Sequence, residues 1–148
     1  MTGAVSGSSL DDPRIGKGEI VWRLIPSHWY RADPNDPNSP RQVAEIAFSG
    51  DVSVLRQKLA PEALVDSVYN GRFAEFGILE LSADDLRNRG FVFEHEHDPE
   101  WGTDTHFLLR RAGVDGVTKQ AKFQRLNQTQ KVILARIANA KPLLREPK

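Results

Sequence analysis

Three of the four histidines lie in or next to a short acidic segment, with a spacing that could form a metal site. His95 and His97 are separated by one residue, and Asp104 and His106 follow after a loop. Because side chains alternate along a strand, His95 and His97 would project from one face. A hairpin that pairs His95 with His106 would bring His106 and Asp104 to the same face. Neutral imidazoles and a carboxylate are suitable zinc ligands, and an open position on the ion would activate water.

This metal site depends on the register of the hairpin. A shift of one residue would move His106 to the opposite face, beside Glu94 and Glu96, and the three-histidine site would be lost. In that case the histidines and acids are solvated at a strand end or paired with basic residues. Our first expectation is a protein without a cofactor. The alternative is a metal-dependent hydrolase or nuclease that binds zinc at these residues.

A second group of residues is suited to contacts with a partner. Trp29, Tyr30 and Arg31 stand next to each other just before a loop rich in proline. Aromatic rings and arginine contribute strongly to protein interfaces and stack on nucleic-acid bases. Alternatively, Trp29 packs beneath the loop and anchors it. Arg23 lies among apolar neighbours on a predicted strand and needs a carboxylate partner or a path to the surface, because an unpaired buried charge is costly.

Charge is distributed unevenly along the chain. Residues 1–109 contain 10 Lys and Arg against 18 Asp and Glu, and residues 110–148 contain 10 against 2. A basic surface attracts phosphates and acidic partners, although acids of the same chain can also neutralise it. We expect the basic side chains that bind a partner to lie on a C-terminal helix: Lys119, Lys122, Arg125, Lys131 and Arg136.

Composition indicates one globular domain. The 148 residues are 39% hydrophobic and 27% charged, which is sufficient for a core without metal or disulfide support. The absence of cysteine excludes disulfides, thiolate zinc sites and cysteine nucleophiles. We expect a flexible lead-in at 1–18 and a single domain at 19–148. No apolar run approaches the length of a membrane span and no secretory signal is visible, so we expect a cytoplasmic protein with no membrane partner.

Hydrophobic periodicity predicts an α+β fold with a small, mostly antiparallel sheet. Two short helices are expected, one opening at Pro61 and one capped by Ser82, followed by a longer amphipathic C-terminal helix from about Thr118 to Ala140. Strands are expected at 20–25, 43–48, 52–55, 76–81, 91–97 and 105–110.

Two family resemblances follow from short motifs. The run Trp22-Arg23-Leu24-Ile25-Pro26, with Asp98-Pro99 and a later His106, is similar to a group of small uncharacterised bacterial proteins that begin with W-R-x-I-P and carry a late D-P…H segment. This resemblance implies a bacterial, intracellular protein and no particular activity.

The order of Arg23, Ser53 and the Glu94-His95-Glu96 run resembles the ADP-ribosyltransferase fold. In that fold, an Arg, a Ser-containing strand and a Glu-x-Glu strand together bind NAD. The resemblance implies an NAD-binding, NAD-consuming enzyme, although the Ser-Thr-Ser motif of the family is absent here.

The leading interpretation is a non-enzymatic accessory protein of a bacterial multi-component system. Its contact surfaces would be the basic helix and the Trp29/Tyr30 loop, and its partner a protein or a nucleic acid. This interpretation depends on the separation of charge and on the lack of a complete catalytic motif. The metal-dependent enzyme and the NAD-consuming enzyme are the alternatives.

Overall fold

The computed structural model describes residues 10–148. Within this part of the chain the strands are β1 (Ile20–Ile25), β2 (Tyr30–Arg31), β3 (Gln42–Val43), β4 (Val52–Arg56), β5 (Gly77–Ser82), β6 (Phe91–His95), β7 (His106–Val114) and β8 (Ala121–Gln124). The α-helices are α1 (Glu62–Gly71), α2 (Ala83–Asn88) and α3 (Gln128–Ala138). The predicted α+β class is therefore confirmed.

One twisted antiparallel sheet organises the molecule. Its strands lie in the order β5-β1-β4-β7-β6, and β8 pairs with the second half of β7. One face is buried under α2 and α3 and forms the larger core, which includes Val54, Phe93, Phe107 and Leu134. The other face carries a second buried cluster, to which α1 contributes Val65. Its other members include Trp22, Leu55, Ile78 and Trp101. The sheet is thus the central layer, with helices on both faces.

Helices α2 and α3 begin after residues whose side chains accept hydrogen bonds from the free N–H groups of the first turn. Ser82 accepts a hydrogen bond from the Asp85 amide at the start of α2, as its sequence predicts. Helix α1 follows Pro61 and loses helical geometry at Val68, after which Tyr69 and Asn70 have positive φ values of 51° and 57°. No helix within residues 10–148 has the length and apolar character to cross a membrane.

The C-terminal helix is shorter than the sequence indicates. It begins at Gln128, where Asn127 and Gln130 form a reciprocal capping box, and not at Thr118. Thr118 instead lies in the turn between β7 and β8, where Asp115 accepts hydrogen bonds from the amides of Val117 and Thr118. Because β7 continues to Val114, the segment expected to open the helix forms β8 and completes a hairpin.

Two other segments differ from the sequence-based expectations. The strand expected at 43–48 is limited to β3, and Glu45–Phe48 form a 3-10 turn that buries Ala47 and Phe48. Residues 10–18 of the predicted lead-in contact the domain: Ile15 is buried, and Asp11 forms an ion pair with Arg87 at 2.6 Å. Residues 1–9 of the lead-in lie outside the described residues.

Candidate functional site

The β6–β7 hairpin does not have the register that a three-histidine site requires. His95 pairs with Phe107, one position away from His106, and Glu94 pairs with Leu108. Because facing residues project from the same side of a sheet, His106 lies on the face of Glu94, opposite to that of His95. The expected pairing of His95 with His106 is therefore wrong.

The expected metal ligands have separate environments. His95 Nε2 lies 2.8 Å from the carbonyl oxygen of Thr103, and His97 is exposed. Asp104 lies 3.5 Å from the Arg14 guanidinium, and buried His106 contacts Glu96. In the part of the chain that the structure describes, no group of three or more His, Asp or Glu residues is placed to hold a metal ion.

The basic residues of the C-terminal part occupy two elements. Lys119, Lys122 and Arg125 belong to the β7–β8 hairpin and the segment after it, whereas Lys131 and Arg136 lie on α3. They therefore do not form one helical ridge, because the helix begins after the first three.

Acids of the same chain neutralise part of this basic surface. Asp51 lies 2.8 Å from the Arg110 guanidinium and 3.1 Å from that of Arg125. The hydrogen bond from Arg110 and the nearby positive charges hold the pKa of Asp51 below its usual range. Glu62 and Asp66 contact Arg145 in the same way. Partner binding through the remaining lysines stays a prediction.

The two aromatic residues before the proline-rich loop, Trp29 and Tyr30, have different surroundings. Trp29 is half-buried, and the Arg23 guanidinium carbon lies 5.2 Å from its ring centroid. The Tyr30 hydroxyl donates to Glu146 at 2.7 Å, and Arg41 lies over the Tyr30 ring. Arg31 is exposed beside them. Trp29 thus faces a cavity that Tyr30 does not reach.

Strands β1 and β4 separate next to Arg23. They pair only at Val21 with Arg56 and at Trp22 with Leu55, and from Arg23 onward the ladder is open. The Arg23 guanidinium enters this gap and donates to the Ser53 carbonyl at 3.0 Å. A charged side chain therefore occupies the position where backbone hydrogen bonds would otherwise join the two strands.

Arg23 is a buried cation without a carboxylate partner. It is 7% exposed, and its other two hydrogen bonds go to the Ala47 carbonyl, at 2.7 and 3.1 Å. Within residues 10–148, no carboxylate oxygen lies within 4.0 Å of its guanidinium nitrogens. Burial lowers the pKa of Arg23 to about 10, so the group still carries its charge at neutral pH.

A cavity of about 490 Å³ opens at this fork between the strands, on the face that α1 covers. That volume lies within the range of small-molecule sites. Apolar and aromatic side chains form much of its wall, and they include Leu55, Trp29, Phe73, Phe76 and Trp101. Its polar lining includes Arg23, Ser53, His28, His106, Glu96 and Arg72.

His106 presents one ring nitrogen to the protein backbone. Its Nδ1 lies 3.2 Å from the Glu96 carbonyl oxygen, and a carbonyl oxygen only accepts hydrogen bonds, so Nδ1 carries the proton. The Glu96 carboxylate lies 3.8 Å from the same nitrogen. Nε2 of His106 makes no hydrogen bond with the described residues and is left as an acceptor in the neutral ring.

The far wall of the cavity comes from the strained end of α1. Tyr69 lines the cavity from a left-handed backbone conformation, which is unfavourable for a bulky side chain. Its hydroxyl donates to the Asp98 carboxylate at 2.5 Å and thereby joins the end of α1 to the β6–β7 loop. The hydrogen bond to Asp98 raises the pKa of Tyr69 to about 12.

Sequence reasoning identified only part of this cavity. Arg23 was singled out as a charge among apolar neighbours, and its burial without an acid is the feature that marks the site. Arg72 and Phe73 gave no signal, because nothing in their local pattern shows that the chain folds back over β1. No family model, curated protein or solved structure matches this chain.

Proposed function

We propose that this protein binds a small anionic molecule in the cavity between β1 and β4, with Arg23 as its anchor. The observation that carries the proposal is the positive charge of Arg23, which is buried at the cavity wall and has no carboxylate partner among residues 10–148. Moving a charge out of water is expensive, and backbone carbonyls offset only part of that cost. A carboxylate or phosphate bound in the cavity would offset much of the rest.

The hydrogen bonds of Arg23 leave donors available for such a ligand. A guanidinium group has five N–H donors, and three are used by the carbonyls of Ala47 and Ser53. The remaining donors are on the two terminal nitrogens, which is the arrangement that binds carboxylate and phosphate oxygens. The two carbonyls also fix the orientation of the group, so that little side-chain entropy is lost on binding.

The proposal is tested by titrating the protein with acetate, inorganic phosphate and pyrophosphate while recording NMR spectra. We expect saturable shifts of the Arg23 Nε–H and Trp29 indole signals, since the two groups are in contact. Arg23→Lys should weaken binding about tenfold, because lysine does not provide the forked donor geometry.

The matched control is Arg41→Lys. Arg41 also donates twice to one carbonyl and lies over an aromatic ring, but it is exposed and lies outside this cavity. Its replacement should leave anion binding unchanged. Absence of any saturable shift at Arg23, or saturation at residues far from the cavity, would contradict the proposal. The wild-type spectra decide this even if Arg23→Lys fails to fold.

A second candidate function is the NAD-consuming transfer that the resemblance implies. The observation that favours it is that Arg23, Ser53 and Glu96 all line the one cavity, although they are far apart in sequence. The test is release of nicotinamide from NAD, followed by NMR, with Glu96→Gln expected to abolish it. No release by the wild-type protein under any condition that binds anions would exclude this candidate.

The accessory role that the charge distribution predicts is compatible with a ligand cavity. Lys119, Lys122, Lys131 and Arg136 have no carboxylate within ion-pair distance among the described residues, so they are the side chains on which a partner proposal now rests. Arg125 is already paired with Asp51 and contributes less.

A further inference from the structure

The charges around the cavity are separated along its floor, and from this separation we infer the class of ligand. The inference rests on the proposed anion site at Arg23. We infer that the ligand is a zwitterion with an apolar middle, such as a short peptide: its carboxylate pairs with Arg23, and its protonated amine pairs with Glu96.

Neighbouring strands place the polar groups in a row. Arg23 is on β1, Ser53 on β4 and His106 on β7, and these strands are adjacent in the sheet. Glu96 follows β6, and its amide donates to the His106 carbonyl at 3.2 Å, so it continues the row on the far side of β7. The Arg23 guanidinium lies at β4, because it donates to the Ser53 carbonyl. Adjacent strands are about 4.8 Å apart, so the two charged ends of the row, at β4 and beyond β7, are separated by roughly 10 Å.

Glu96 is the carboxylate that remains open at the acidic end. No Lys or Arg of the described chain lies within 4.0 Å of it, and the nearest base is His106, at 3.8 Å. Asp98 at the same end is engaged by the Tyr69 hydroxyl and by the Glu100 amide. Arg72 also lines the cavity but has no ion pair with Glu96. Among the described residues, Glu96 is therefore the lining carboxylate that is still open to a cationic group of a ligand.

Aromatic side chains form the wall between the two charged ends. The Phe73 and Trp101 rings lie 5.7 Å apart with their planes 30° from parallel, and Phe76 meets Phe73 edge-on at 5.0 Å. Phe73 and Phe76 have no hydrogen-bonding groups, and the three rings together favour an apolar or aromatic group there. A ligand that is charged throughout would leave this wall without a complementary surface.

The separation of the charges sets the length of the ligand. An extended chain covers about 3.3–3.6 Å per residue, so about three residues span the distance between the two ends. A single amino acid is too short to reach Arg23 and Glu96 together. A tripeptide with a central phenylalanine therefore matches the length, the charges and the wall.

The experiment uses the tripeptide Ala-Phe-Ala in four forms: free, N-acetylated, C-amidated and blocked at both ends. Binding is measured by calorimetry with the wild-type protein and with Glu96→Gln. We expect N-acetylation to weaken binding to the wild type about fivefold, the size of a partly exposed charge pair. Glu96→Gln should bind the free and acetylated forms equally, while amidation should weaken binding to both proteins.

Glu100→Gln is the matched control, since Glu100 is exposed in the same loop and does not line the cavity. It should retain the wild-type preference for the free amine. Equal wild-type affinities for the free and acetylated peptides would overturn the zwitterion inference while leaving anion binding intact. If amidation has no effect and neither acetate nor phosphate binds, the proposed function itself is wrong.

Discussion

At the scale of single residues, two buried arginines are held in opposite ways. Arg56 pairs with Glu19, and both side chains are 8% exposed. Among the described residues, Arg23 instead has two backbone carbonyls and the Trp29 ring as partners and no carboxylate. A buried pair satisfies both of its charges inside the protein. The contrast indicates that the charge of Arg56 stabilises the fold, and it is the basis of our proposal that Arg23 binds a ligand.

Replacing Glu19 tests the structural pair. Burial by itself raises the pKa of Glu19, but hydrogen bonds from Arg56 and Gly16 and the charges of Arg56 and Lys58 bring it below its usual value of 4.5. Since the folded-state pKa is lowered, the ionised group stabilises the fold above the unfolded-state pKa, and this stability is lost as the pH falls through the folded-state value. We expect Glu19→Gln to lower the free energy of unfolding by about 3 kcal/mol at pH 7.

The measurement is urea denaturation at pH 7 and pH 3. The difference between wild type and Glu19→Gln should be smaller at pH 3, because the pH is then closer to the lowered folded-state pKa and a larger fraction of the wild-type carboxyl is protonated. Glu75→Gln is the control, because Glu75 is exposed and its side chain has no hydrogen bond or ion pair in the described chain. An equal difference at both pH values would show that Glu19 acts through its shape and not its charge.

The Tyr69–Asp98 contact gives a prediction with an optical signal. Asp98→Asn should lower the pKa of Tyr69 from about 12 towards its ordinary value of 10.0, because the hydrogen bond to the Asp98 carboxylate is the largest cause of the raised pKa. The protein has only two tyrosines, so absorbance titration resolves the change. Glu100→Gln should produce a smaller shift. An unchanged titration in Asp98→Asn would show that the two side chains are not joined in solution.

At the scale of elements, the C-terminal segment fixes the wall of the cavity. Residues 144–148 lie along the free edge of β5, where the Ile78 amide donates to the Arg145 carbonyl at 2.7 Å. The Arg145 guanidinium in turn donates to the carbonyls of Phe73 and Phe76. The tail therefore holds the segment that carries the aromatic side chains of the cavity.

Gly77→Ala should release this tail. A Cβ at Gly77 would lie 2.7 Å from Pro147 Cδ and 2.8 Å from the Arg145 carbonyl oxygen, closer than real contacts allow. We expect a loss of stability of about 1–3 kcal/mol and faster proteolysis of the tail. Gly116→Ala is the control, because a Cβ there meets nothing within 4 Å. A tail as resistant to protease as in the wild type would contradict this role of the C-terminal segment.

At the scale of the whole molecule, the separation of charge between the two parts of the chain survives folding only in part. Arg110 and Arg125 converge on Asp51, so the acidic and basic parts meet there. The exposed lysines of the β7–β8 hairpin lie away from that contact. Electrostatic attraction of an acidic partner would therefore centre on the hairpin.

A gel-shift assay with DNA and RNA at low salt tests that surface. If a polyanion binds, its affinity should fall as salt rises, and replacement of Lys119 and Lys122 by Gln should weaken it and reduce the salt dependence. Lys17→Gln is the control, because Lys17 is exposed in the acidic part of the chain. Absence of any shift, together with a monomer at low salt and no captured acidic protein, would remove the partner hypothesis.

Local sequence was sufficient for much of the secondary structure. Pro61 and Ser82 mark the starts of two helices, and the β-branched and apolar runs around Val21 and Val54 identify central strands, because these signals act over only a few residues. The expected start of the last helix, at Thr118, was wrong. Thr118 and Asn127 are both acceptable N-caps, but only Asn127 is followed three residues later by a Gln that completes a capping box.

The sequence by itself determined the α+β class and the uneven distribution of charge, because both depend on residue type and short-range periodicity. Only the tertiary structure decided the register of the β6–β7 hairpin and the separation of β1 from β4. A shift of one residue costs little locally but moves His106 to the other face. The cavity brings together residues more than 60 positions apart in the sequence, such as Arg23 and Glu96, and no local pattern specifies this arrangement.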